Sequence, residues 1–230
     1  MSDPEYLDKT VKALARNEFE VIMAKDGTDA VSILCDLIDT TAVVGIGDSA
    51  TLRQLGILDR LHERGTSIIN PFIGAYRRET AITCLLAHVF LTGANAITQD
   101  GKIVDIDGAG NRIAGTIYGP EKVIIVVGKN KIVPTVEDAF SRIKNYIAPY
   151  HAKTMGYNPP CTKTGKCMDC HSPDKVCRIE TVIARNPMYS QIYIIMVNED
   201  LGLSWDPEWS TERIQNIQKA YENHVWAYGK

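Results

Sequence analysis

Apolar residues along this chain recur at two alternating periods. Within residues 4–17, Leu7, Val11 and Leu14 fall at helical spacing between charges, with Asp3 in front of them as an N-cap. Residues 19–24 read as a strand, Asp26-Gly27 as a turn, and Ala30, Ile33, Leu34, Leu37 and Ile38 as the apolar stripe of a second helix. Residues 42–46 are wholly apolar, the pattern of a strand buried on both faces of a parallel sheet. Helical spacing resumes at Leu52 and runs through residues 55–64 to Gly65, and residues 66–69 make a short strand before Asn70-Pro71. The spacing of Ile82, Leu85, Leu86, Val89 and Phe90 predicts a helix over residues 76–90. Asp100-Gly101, set between residues 95–98 and 103–106, predicts a two-residue hairpin. Beyond it lie a short helix at 111–117, a buried strand at 123–127 and a helix at 135–148 capped by Thr135. Strands at 179–184 and 191–197 flank Asn186-Pro187, and an amphipathic helix spans 207–224.

Strands and helices in this alternation predict an α/β fold with a parallel-rich sheet flanked by helices. The length suits one domain over residues 1–230, with a cysteine-rich loop at 159–178 inserted in it. Net charge is −3, and acidic residues are interspersed with basic ones. That argues against nucleic acid as a partner and leaves local sites for a small anionic metabolite. No apolar run is long enough for a membrane span, and the first thirty residues do not resemble a secretory signal. The expected location is the cytoplasm, with cysteines reduced.

Four of the six cysteines, Cys161, Cys167, Cys170 and Cys177, fall in one Pro- and Gly-punctuated loop with the spacing C-x5-C-x2-C-x6-C. The central C-x2-C lets two thiolates meet one cation from a tight turn, and the outer pair would close the shell. Lys163, Lys166, Lys175 and Arg178 supply charge to offset thiolates. The unequal outer arms fit a 4Fe-4S cluster better than the paired knuckles of structural zinc, which stays as the alternative, as do redox-active or idle thiols.

Candidate ligand chemistry lies in the glycine loops. Gly45, Gly47, Ser49 and Thr51 stand between a strand and a helix, where backbone N–H groups can meet an anion, although an ordinary turn with Ser49 as N-cap reads equally well. Asn95, Asp107 and Asn111 also fall at strand ends and glycine bends, where ligands meet open α/β sheets and where turn-forming residues are equally at home. Asp100 or Asp107 could move a substrate proton while Lys129 or Lys131 holds its anionic group. These sites predict one anion pocket, with the cysteine loop near it on the same sheet edge.

Taken together, residues 43–52 (VVGIGDSATL), 93–104 (GANAITQDGKIV), 119–133 (GPEKVIIVVGKNKIV) and 192–202 (IYIIMVNEDLG) resemble the lactate-utilisation, or LUD, domain family over nearly the whole chain. The resemblance implies a fold similar to the sugar-phosphate isomerase, glucosamine-phosphate deaminase and CoA-transferase group. It also implies a link to oxidation of L-lactate to pyruvate, alongside other proteins of an iron-sulfur system. One departure matters: Gln99 stands where relatives carry a glutamate before the hairpin turn, and Gln99 cannot form a glutamyl thioester.

Three functions follow as expectations. The first is an oxidoreductase component for a 2-hydroxy acid such as lactate, with electrons passing through an iron-sulfur centre. The second is a non-redox isomerase- or transferase-like enzyme with a zinc staple, and the third an accessory module that docks through its metal loop.

Overall fold

The computed structural model describes residues 3–74 and 76–225. The chain opens with α1 (Asp3–Arg16), β1 (Glu20–Ala24), α2 (Gly27–Leu37) and β2 (Val43–Ile46). Two short helices, α3 (Ala50–Leu55) and α4 (Ile57–Glu63), are separated by Gly56 at φ 62°, a left-handed conformation that suits glycine. Next come β3 (Ser67–Ile69), α5 (Arg78–Thr83) and β4 (Val89–Thr92), then the hairpin of β5 (Ala96–Thr98) and β6 (Ile103–Asp107). After α6 (Asn111–Ile117) and β7 (Lys122–Gly128), β8 (Ile132–Val133) leads into α7 (Val136–Arg142), which continues through a π-helical turn at Ile143–Ile147 into α8 (Ala148–Thr154). The one-turn α9 (Cys161–Thr164) precedes β9 (Ile179–Ile183), β10 (Gln191–Val197) and α10 (Thr211–His224).

Six strands form one parallel sheet in the order β1-β10-β7-β4-β2-β3. Strand β7 lies inside it and is apolar on both faces, as the sequence of residues 123–127 predicts. Ile124 and Val126 pack with Leu34, Leu52 and Leu61 on one face, while Val123, Ile125 and Val127 pack with Leu14, Phe19 and Ile97 on the other. A second sheet, β8-β5-β6-β9, was not expected. It pairs the hairpin with β9 on one side and the two-residue β8 on the other. No helix among the described residues is long and apolar enough to cross a membrane.

Two predicted elements are corrected. The helix over 76–90 is confined to α5 and one 3-10 turn at Cys84–Leu86, and residues 89–92 are β4. Val89 and Phe90 continued the helical spacing, but the run Val-Phe-Leu-Thr pairs on both sides, with β2 and β7, and is wholly buried. Sheet pairing and burial thus outweighed a period that Leu86, 84 % exposed, keeps only on paper. The helix of 135–148 extends to Thr154, because Pro149 occupies the first turn of α8 after the π-helical turn, where its missing N–H is tolerated.

The hairpin turn is locked against α1. Asn17 Nδ2 donates to the carbonyls of Asp100 and Gly101 at 3.0 and 2.7 Å, and a Cβ on Gly101 would collide with the backbone of Ala13 and Leu14. Gly101 also holds φ 83°. Gly101→Ala is therefore expected to lose about 2 kcal/mol or more of stability from left-handed strain plus the clash. A urea unfolding midpoint equal to that of the wild type would contradict this.

Candidate functional site

The carboxyl ends of β2, β4, β7 and β10 open on one cavity of about 430 Å³. It occupies the crevice that parallel sheets leave for ligands, and its size is that of a small-molecule site. Asp48, Ser49 and Arg53 follow β2, Gly93 to Asn95 follow β4, Lys131 follows β7 and Leu203 follows β10. The end of β6 adds Asp107, Asn111 and Arg112, helices α8 and α10 add His151 and Tyr221, and residues 173–178 of the cysteine loop form another wall. Among the described lining residues, five cations (Arg53, Arg112, Lys131, Lys175, Arg178) face three carboxylates (Asp48, Asp107, Asp174), a balance that favours an anion.

Most of these charges are already committed. Arg112 Nη1 donates to Asp105 Oδ1 at 2.5 Å, its Nη2 to the Ile106 carbonyl at 3.0 Å, and its Nε lies 3.6 Å from Asp107 Oδ2. Burial alone would lower the pKa of this guanidinium, but Asp105 and Asp107 more than offset that and raise it. Asn95 belongs to the same network: its N–H donates to Asp105 and its Oδ1 accepts from the Ile106 N–H, both at 2.8 Å. Asp107 Oδ1 accepts from the backbone of Ala109 and Gly110, whereas its buried Oδ2 has no hydrogen bond. Arg53 pairs with Asp48 at 2.5 Å.

Lys131 differs. Its Nζ donates to the Ala94 carbonyl at 2.7 Å and to Thr51 Oγ1 at 3.3 Å, both neutral oxygens, and no carboxylate among the described residues pairs with it. Burial pulls its pKa down to about 8. At neutral pH it is still mostly an ammonium, enclosed and without a direct ion pair among the described residues, although the Asp105 charge favours it and the Arg112 charge opposes it.

His151 Nδ1 lies 2.5 Å from the Tyr221 hydroxyl. Burial, reinforced by Arg53 and Arg112 against Asp48, holds the imidazole below its ordinary pKa. Burial likewise raises the Tyr221 phenol, so this pair is neutral near pH 7.

Of the residues singled out from the sequence, Ser49, Asn95, Asp107, Asn111 and Lys131 line this one cavity, and Thr51 supports Lys131 from beneath. Ser49 is also the N-cap of α3. Gly45 and Gly47 sit below the lining, and the Gly47 N–H is taken by the Leu91 carbonyl at 3.0 Å. Their lack of a side chain serves close packing, since a Cβ would meet Cys84 at Gly45 and Thr92 or Phe90 at Gly47. The Gly47 N–H is therefore not open to a ligand, and the cations of the lining are side chains. Asp100 is not in the cavity: it sits at the hairpin turn, paired with Lys102 at 2.7 Å. Lys129 also lies outside it, in the turn after β7. Sequence reasoning missed Arg112, His151 and Tyr221. Arg112 follows the noted Asn111 directly, but His151 fell beyond the helix predicted over 135–148, and nothing in the helical pattern of 207–224 distinguished Tyr221 from other helix residues.

Cys161, Cys167, Cys170 and Cys177 line one small separate pocket with Lys144 and Lys175, and Cys177 borders the main cavity as well. The cysteine loop therefore lies at the same edge as the glycine loops. Burial raises the pKa of Cys161 and Cys177, and the neighbouring thiols push Cys161 further in that direction. All four are free thiols, and among the described residues no three or more Cys, His, Asp or Glu form a group that could hold a metal ion. Four soft donors around one pocket, beside two lysines, fit a thiolate-bound metal in kind, although their positions here are not those of a ligand shell.

The Lys131 shift carries a stability consequence. Between pH 8 and 10.5 the unfolded chain keeps a proton that the folded chain has released, so this group makes stability rise with pH across that window. At pH 7 the charge costs about 3 kcal/mol. Lys131→Met is expected to be at least as stable as the wild type at pH 7, with any gain shrinking as pH rises through that window. A lower urea midpoint for the variant at pH 7 would contradict this.

A crystal structure of a DUF162 family protein from Deinococcus radiodurans is similar to this fold, at a TM-score of 0.50 and 15% identity, covering 86% of this chain and 99% of that one. At that identity the likeness concerns the fold alone. Comparison with curated proteins gives no match. The profile of the LUD domain family matches residues 7–197, and the chain belongs to that family.

Proposed function

We propose that the cavity binds a small 2-hydroxy or 2-oxo acid and that the protein is a component of 2-hydroxy acid oxidation. Membership of the LUD domain family carries the coarser statement, a role in lactate utilisation at family level. The observation behind the finer reading is Lys131, an enclosed ammonium on the cavity wall whose hydrogen-bond partners are neutral oxygens. An uncompensated buried charge is expensive, and a ligand carboxylate is the counter-ion that would neutralise it. Arg112, held by Asp105 and Ile106, fixes another part of the same lining.

The cysteine loop supports a redox version of this reading because Cys177 borders both the cavity and the four-thiol pocket. Cys161, Cys167, Cys170 and Cys177 would hold the centre, a 4Fe-4S cluster or alternatively zinc. A cluster, when bound, supplies one-electron transfer, whereas zinc makes the loop a staple.

Two measurements test the proposal. L-lactate and pyruvate should each bind the wild type in an NMR shift titration at pH 7, and Lys131→Met should weaken both at least about tenfold, the scale of a lost buried ion pair. Failure of both ligands to bind the wild type overturns the reading. Protein purified without oxygen should carry about four iron and four sulfide per chain. Cys167→Ser should lose them while keeping its far-UV circular dichroism. Stoichiometric zinc in place of iron would replace the redox version with the staple.

A further inference from the structure

His151 is a titratable residue that the reading above leaves unused. It is half-buried and lines the cavity. The Tyr221 hydroxyl engages Nδ1 at 2.5 Å, and Tyr221 itself is only 3% exposed. The other ring nitrogen, Nε2, has no hydrogen-bond partner among the described residues. An imidazole nitrogen left open on a cavity wall is available to a polar atom of a ligand in that cavity. Two elements fix the ring: α8 carries His151, and α10 brings Tyr221, which packs with Ile147 and Leu203 of the same wall.

The surrounding charges narrow what that atom can be. The carboxylate and cation closest in effect to His151, Asp48 and Arg53, are paired with each other at 2.5 Å, and the Arg53 Nε is occupied by the His224 carbonyl. The imidazole therefore presents a neutral hydrogen-bonding edge, which supplies no counter-charge for a second anionic group and can serve a hydroxyl or carbonyl oxygen. The carboxylate of the ligand belongs instead to Lys131, on the strand-end wall of the same cavity.

We infer that His151, held by Tyr221, is the specificity-determining residue of the cavity: its Nε2 hydrogen-bonds the oxygen on C2 of the bound acid and so separates 2-hydroxy and 2-oxo acids from plain carboxylates. This inference rests on the anion-cavity reading but makes a separate claim. Neutral imidazole can either donate to a carbonyl or accept from a hydroxyl at Nε2, according to the tautomer that the Tyr221 hydroxyl selects, so both oxidation states of one substrate are accommodated.

The test compares L-lactate with propionate, which differ only in the C2 hydroxyl, by NMR shift titration of the whole chain at pH 7. The wild type should prefer L-lactate about threefold to tenfold, the worth of one hydrogen bond. In His151→Phe the preference should fall to within about twofold of unity. Binding of neither acid to the wild type overturns the anion cavity and this inference with it. Binding of both with equal affinity, or a preference that survives in His151→Phe, overturns the His151 assignment alone. Should His151→Phe fail to fold, Tyr221→Phe takes its place: a reduced preference supports the assignment and an unchanged one overturns it. The ring 15N shifts of His151 supply a further reading. They should move when L-lactate is added and stay in place with propionate; equal movement with both contradicts the hydrogen bond to the C2 oxygen.

Discussion

Strand β7 is hydrogen-bonded on both edges, to β4 and to β10, and everything at the cavity depends on that parallel pairing. Parallel strands end at the same edge, so the segments after β4, β7 and β10 emerge side by side without further instruction. Asn130, fully buried, then ties two of them together: its Oδ1 accepts from the Leu201 N–H at 3.0 Å and its Nδ2 donates to the Ser204 carbonyl at 2.9 Å. Arg142 reaches back from α7 to the carbonyls of Asn130 and Ile132 and pairs with Asp206 at 2.7 Å. Lys131 sits within this clamp, which is how a flexible side chain comes to be held in a defined place on the cavity wall.

The cavity separates fixed charge from available charge. Arg112 and Arg53 are paired with aspartates and act as framework, whereas the Lys131 ammonium hydrogen-bonds only neutral oxygens and feels Asp105 and Arg112 without a direct ion pair. A site built this way loses stability to the enclosed cation, the usual trade between function and stability, and under the proposed function a bound anion would restore it. The apolar part of the lining, Ile106, Ile143, Ile147 and Leu203, keeps the effective dielectric low, which strengthens whatever polar contacts a ligand makes.

Helix α7 explains why the cysteine loop reaches this edge. A right-handed crossover over the main sheet would have carried the chain to the opposite edge. Instead α7 and the π-helical turn after it pack on the second sheet, with Ala139 and Ile143 against Ala96, Val104 and Ile106. The π-helical turn at Ile143–Ile147 and α8 then continue past the cavity, so that His151 and the loop beyond it arrive beside the strand ends. Cys177 packs against that same small core, which anchors the loop at its second end.

Much of this was legible in local sequence. Residues 123–127 read as a strand buried on both faces, Asp100-Gly101 as a hairpin turn, and polar residues between strands and helices as groups that gather at one edge of a parallel sheet. These follow from periodicity and backbone chemistry, which act over a few residues. The identity of residues 89–92 as a strand did not follow, because the same apolar spacing satisfies a helix until β2 and β7 supply partners. Nor did the roles of Gly45 and Gly47, whose spacing suggested an anion nest and whose purpose is to admit Cys84, Phe90 and Thr92. His151 and Tyr221 lie seventy residues apart, on two helices whose patterns distinguish neither residue from its neighbours. Sequence by itself determined the elements and the edge where chemistry gathers; tertiary structure alone decided which side chains face the cavity, because burial, charge pairing and hydrogen-bond partners are set by residues far apart in the chain.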